Sequence, residues 1–196
     1  MQRVVLWLFV LVLGVLVALS IRPGEPAVPP SANVLLRDAT VVLYPQADPA
    51  AVWRFASPEV DYSPDLGTSV LRDLSDGRRT VDGETDFTLQ AERLLIDRDE
   101  NLEGELLLAH LVSTDECLTM LAAGGTPVRI NQAAGEFAVP LLHIEGPAWG
   151  SNNEWQQVRA SFNLEQFTAG GPGTVTINEF LAGDGRSDPR RTACAS

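Results

Sequence analysis

Alternation of apolar and polar side chains with a period of two is the feature that most limits how this chain can fold. It is cleanest late in the sequence. Val158, Ala160, Phe162 and Leu164 alternate there with Arg159, Ser161, Asn163 and Glu165. Successive side chains of a β-strand point to opposite faces, so such a stretch buries one face and wets the other. Shorter runs of the same kind recur between turn residues, and the spacing of a long amphipathic helix is missing from the body of the chain. Residues 34–44, 52–56, 70–74, 87–96, 105–113, 128–130, 137–141, 158–164 and 174–178 read as strands. Residues 63–67, 75–77 and 97–101 read as turns, and Pro140 demotes its strand to an edge or a bulge. Residues 115–123 read as a single helical turn stopped by Gly124 and Gly125. The implied body, residues 34–181, is all-β: a twisted jelly-roll or open β-sandwich of repeated antiparallel strands.

A different pattern precedes it. Residues 4–21 (VVLWLFVLVLGVLVALSI) carry no charge. As a helix they span about 27 Å, close to the ~30 Å hydrocarbon core of a bilayer. Arg3 lies before the run and Arg22 and Glu25 after it, which favours an N-terminus inside and a body outside. We expect residues 1–21 to be one transmembrane helix, an uncleaved anchor. A cleaved signal peptide, with Ala18 and Ser20 at an A-x-A-like site, is the competing reading, and both readings export the body. Pro23, Pro26, Pro29 and Pro30 make residues 22–33 a stiff extended spacer, and residues 182–196 are a polar tail. The expected location is the inner (cytoplasmic) membrane, with a single pass and the domain on the periplasmic side.

Charge narrows the partners. The chain has a net charge of −12 and no lysine. Binding to the phosphates of a nucleic acid is excluded as a function on that ground. Two cysteines, Cys117 and Cys194, permit one disulfide in an exported chain, or two free thiols with Cys117 acting as a small buried apolar residue.

The inventory for catalysis is thin. His110 and His143 both fall within strands, where packing is the ordinary role, and no ligand stands at a spacing that would complete a metal site with them. No hydrolase, zinc-protease, phosphate-loop or calcium-loop motif is present. Asp97, Asp99, Glu100, Glu103 and Glu105 form an acidic run that reads as a solvated turn; a glycosidase pair or a Ca²⁺ site are the sharper alternatives. Trp149 and Trp155 flank a polar loop, and with Trp53 and Phe162 they would suit an aromatic platform or a core. The pattern points to a binding or scaffold module, with no catalytic residues, no metal and no cofactor expected.

There is also an internal echo. Residues 56–62 (ASPEVDY) resemble residues 91–97 (AERLLID), each following an aromatic-led strand, Trp53 and Phe55 in one case and Phe87 and Leu89 in the other. Repeated strands that stack into one elongated core produce such echoes.

With the anchor and spacer in front, residues 36–44 (LRDATVVLY), 53–62 (WRFASPEVDY) and 87–97 (FTLQAERLLID) resemble the opening strands of the LptC family, and more broadly of the LptA/OstA-like β domains. The resemblance covers about residues 1–112. It implies a twisted β jelly-roll with an apolar groove. It also implies a lipid or glycolipid cargo such as lipopolysaccharide, passed from an inner-membrane ABC transporter to a periplasmic β-bridge protein by edge-strand pairing. Val41, Leu43, Trp53, Phe55, Phe87, Leu89, Phe162 and Val175, which alternation turns inward, are then the expected groove lining. The second half of the chain and the Cys117/Cys194 pair have no counterpart in the resemblance. The alternative is a membrane-anchored structural or adhesion β-sandwich without a ligand groove.

Overall fold

The computed structural model describes residues 33–170. The expected anchor, spacer, strand at 174–178 and polar tail lie outside those residues. The described part holds eleven strands and no helix. They are β1 (Val34–Leu43), β2 (Ala51–Ser63), β3 (Thr68–Val81), β4 (Glu84–Ile96), β5 (Leu102–Gly104), β6 (Leu106–Leu111), β7 (Glu116–Leu121), β8 (Val128–Asn131), β9 (Glu136–Gly146), β10 (Gly150–Ser161) and β11 (Phe167–Thr168).

All eleven belong to one antiparallel sheet. The path runs from β1 to β11, and within it the pairings form a closed ring, β4–β6–β7–β9–β8–β5 and back to β4. The ring arises because two strand lines are each split in the middle. β5 and β6 are one line broken at Glu105, and β7 and β8 are another, interrupted by residues 122–127.

Those breaks belong to a crease that crosses the whole sheet. On β2 the inward residues are Trp53, Phe55 and Ser57, then Val60: the parity changes at Pro58. On β4 they are Phe87, Leu89 and Ala91, then Leu94 and Ile96. On β9 Phe137 and Val139 give way to Leu142 and Ile144 across Pro140. Each strand absorbs one residue out of register while its neighbours do the same, so the ladder resumes beyond the crease with the core on the same side. Three of the absorbed residues are left-handed without being glycine: Asp38 on β1, Asp73 on β3 and Gln157 on β10. Their register partners across the crease are Pro58, Glu92 and Pro140, which the ladder also skips. Proline has no N–H to give, so a skipped position suits it. The Ser57 hydroxyl lies 2.6 Å from the Arg72 carbonyl and 2.8 Å from that of Glu59, and it accepts the Glu59 N–H at 3.3 Å, making up for lost ladder bonds. At Gly104 a Cβ would stand 2.5 Å from Leu107 Cδ2 and 3.1 Å from the Arg93 carbonyl oxygen, so the close approach of β5 to β4 requires glycine.

The crease divides the sheet into two leaves that share one core. One leaf contributes Trp53, Phe55, Phe87, Leu107 and Leu118, the other Val60, Leu94, Val128, Ile130 and Phe137, and all belong to one buried cluster. The expectation of an open sandwich is therefore corrected. The interior is closed because the aromatic side chains of the two leaves meet in it.

Several local readings also change. Residues 75–77 look like a turn, yet they lie within β3, where the register with β2 and β4 shifts around them. The bulge uses the residue types a turn would use. Residues 115–123 form no helix; β7 runs through them, because pairing to both β6 and β9 outweighs a weak local preference. Pro140 marks a bulge rather than an edge, since β9 pairs on both sides. The echo is best matched with a separation of 34 residues, Trp53 with Phe87 and Phe55 with Leu89, because those pairs face inward at the same distance from the crease.

Candidate functional site

The expected lining residues occupy the inner face. Trp53, Phe55, Phe87 and Leu89 are fully buried in the shared core, and Val41, Leu43 and Phe162 are partly buried against it. Val175 lies outside the described residues. The rings form a continuous run: Trp53 stacks on Phe55 with centroids 5.3 Å apart, meets Phe87 edge-on at 5.6 Å, and Phe162 bridges Phe87 to Phe137 at 6.3 and 6.4 Å. Offset and edge contacts of this kind add to the burial of the rings themselves.

Opposite the crease, the strand ends of the two leaves meet along a line, the mouth. Side chains close it at three places. The Gln46 N–H, in the turn after β1, donates to Glu100 Oε2 at 3.0 Å, in the turn after β4. Trp53 Nε1 donates to Gln132 Oε1 at 3.1 Å, between β2 and the turn after β8. Arg79 lays its guanidinium 4.8 Å from the centre of the Phe162 ring.

Arg79 is the central group. It points inward from the end of β3 and is 6% exposed. A buried guanidinium needs partners, and it has two carboxylates, Asp48 in the turn after β1 and Asp86 on β4. Burial holds the Asp86 carboxyl above its ordinary range, and the neighbouring Arg79 charge opposes that effect. Arg79 Nε, Asp86 Oδ1 and Gln132 Nε2 are buried without a hydrogen-bond partner among the described residues. Sequence reasoning missed this cluster. The one available signal was an arginine at an inward position of an alternating strand.

The other candidates fall into structural roles. His110 pairs with Asp115 and His143 with Glu145, each at 2.9 Å and each within five residues of its partner. Among the described residues no group of three or more His, Cys, Asp or Glu side chains is placed to hold a metal ion. Asp97 caps its own turn, accepting the N–H groups of Asp99 and Asn101 at 2.9 and 2.8 Å. Glu103 is paired with Arg129 on β8. Trp149 and Trp155 pack with Phe167, at 4.9 and 5.6 Å from it, beside the core. Cys117 is held in a disulfide; the expected pairing with Cys194 involves a residue outside the described region.

The sheet also has an edge. Among the described residues β1 pairs with β2 alone. Beyond the crease, where its inward positions would meet the other leaf, Val34, Leu35 and Leu36 are 42%, 53% and 44% exposed.

Comparison of the chain with protein-family models and with curated proteins finds no match.

Proposed function

We propose that this protein is a membrane-anchored, periplasm-facing β domain that binds or relays a lipid or glycolipid, in the manner implied by its resemblance to the LptC and OstA-like domains. The observation that carries the reading is the mouth. An apolar interior runs between two leaves that share a backbone at the crease, and at the opposite side they are joined by a few polar side chains with unpartnered buried atoms. Burying acyl chain there gains about 0.8 kcal/mol per CH₂, enough over several methylenes to offset the loss of contacts worth about 1 kcal/mol each. The exposed edge of β1 is suited to strand addition by the ABC-transporter or bridge partner that the resemblance implies. A transmembrane anchor at residues 1–21, followed by a spacer at 22–33, belongs to the same reading.

The test is a photo-crosslinking residue, p-benzoylphenylalanine, at Phe55 or Phe162 of the full chain in membranes, with Arg54, exposed on the opposite face of β2, as control. Lipid adducts at Phe55 and Phe162 and none at Arg54 are expected. Lipid adducts at none of the three positions would overturn the proposal.

The second reading, an anchored structural or adhesion domain with no ligand groove, is favoured by one observation. Trp53, Phe55 and Leu89 are completely buried by their neighbours. It predicts no acyl binding, and its interior would reject the crosslinked lipid.

A further inference from the structure

The outer face of the sheet carries a cleft that the interior reading leaves unused. At the crease the chain leaves the sheet over residues 122–127 and returns to it. Ala123 and Thr126 exchange backbone hydrogen bonds at 3.2 and 3.0 Å, so the excursion is a tight hairpin finger. Its tip is Gly124-Gly125, with φ of 59° and 76°. Two left-handed residues in succession are what such a two-residue turn needs, and glycine adopts them without strain. The finger forms one wall of the cleft, Ala138 and Pro140 of β9 lie along its floor, and Gln157 and Arg159 of β10 form the far wall. The volume is about 930 Å³, the size of a small-molecule site.

The two parts of this cleft differ in chemistry. Its floor is small and apolar. At one end the register sets Arg129 opposite Ala138 on one side and Arg159 opposite it on the other. The two arginines thus stand two strand spacings apart, about 10 Å between Cα atoms, with only a methyl group between them. Glu103 holds Arg129, and Glu136 holds Arg159 at 3.2 Å. Both arginine side chains are more than half exposed. Surface pairs of this sort bind weakly, and a guanidinium has five N–H donors, so each arginine keeps donors for a ligand. Two arginines, each held by one glutamate, thus converge on one cavity.

We propose that the outer cleft binds an anionic amphiphile. Its phosphate or carboxylate head lies between Arg129 and Arg159, and its apolar chain runs over Ala138 and Pro140 beneath the finger. Arginine suits such a head because its planar fork matches the oxygens of both groups. The small floor side chains leave room for the chain. The site faces away from the core, so it stands whether or not the interior takes a lipid.

The experiment uses the full chain in nanodiscs of neutral phosphatidylcholine. The probes are octyl phosphate and octanoate, each with a diazirine on the chain, and the matching octanol as the uncharged control. Adducts are mapped by peptide mass spectrometry, and thermal melts establish that each variant is folded. Labelling within residues 122–127 and 138–140 by either anionic probe is expected. The octanol probe and the Arg129→Gln/Arg159→Gln variant should each give about tenfold less. Ala138→Trp fills the floor while keeping both arginines, and it should abolish the labelling. Equal labelling by octanol, undiminished labelling in the double variant, labelling that survives Ala138→Trp, or adducts confined to the inner face would each overturn the proposal.

Discussion

The crease and the mouth run along opposite sides of the same two leaves, and they are built differently. Backbone holds the crease. Strand after strand carries one residue out of register there, with Asp38, Asp73 and Gln157 left-handed and Pro58 and Pro140 at positions the ladder skips. Side chains hold the mouth: Gln46 to Glu100, Trp53 to Gln132, and Arg79 to its two aspartates and Phe162. A continuous chain keeps the leaves joined along one line, and reversible contacts join them along the other. On the proposed function lipid enters at the mouth, so damage at the two lines should read out differently.

The largest expected effect lies between the two lines, where both leaves share the core. Phe55→Ala should cost about 3–5 kcal/mol in urea unfolding, because the ring is completely buried against Trp53 and leaves a cavity. A loss below about 1 kcal/mol would mean that the leaves do not pack as described.

At the mouth, Arg79→Met should cost about 1–3 kcal/mol by stranding Asp86 and Asp48 without their cation. It should also raise the yield of lipid adducts at Phe162, a readout that a purely structural arginine would not move in that direction.

At the crease, Asp73→Val should cost about 1–2 kcal/mol, since a β-branched residue resists the left-handed conformation held there. Asp73→Gly should be neutral or slightly stabilising. Neither change should alter lipid labelling, and a crease variant that does alter it would mean that the crease too controls access to the interior.

The smallest effect concerns pH. Asp86 binds its proton more tightly in the folded protein than in the unfolded chain, because burial raises its pKa above 3.8. Its contribution to stability is therefore most favourable below the unfolded pKa and is lost as pH rises through the folded one. Wild type should gain on Asp86→Asn as the pH is lowered through that acid window. Chemical denaturation at a series of pH values checks the sign; a difference that shrinks on acidification would refute it.

Much of the inner face was legible in the alternation. Trp53, Phe55, Phe87 and Leu89 were assigned inward, and all four are buried in the core. Alternation works within a segment because a strand has no choice about where successive side chains point. It fails across the crease. A reader who continues the parity of Trp53 and Phe55 past Pro58 puts Val60 outside, whereas it is buried. The bulge at residues 75–77 misled for a related reason. Ser, Asp and Gly are the residues of a turn, and only pairing with β2 and β4 keeps the chain straight there. The candidate site was less legible than the fold. Gln46 and Glu100 are 54 residues apart, and Trp53 and Gln132 are 79 apart, so no local pattern joins them.

The sequence by itself determined the all-β class of this domain and, within each run, which residues share a face. Short alternating runs between turn residues allow antiparallel β-structure, and the large apolar residues of each run must share a face. Only the tertiary structure decided that the strands bend at one common line, that the two leaves share one core, and where three of the arginines stand. One is buried with its aspartates at the mouth, and two stand beside a small apolar floor outside. The reason is physical. Side-chain direction is set within two residues, but register, closure and the meeting of charges depend on segments that come together only when the whole sheet has paired.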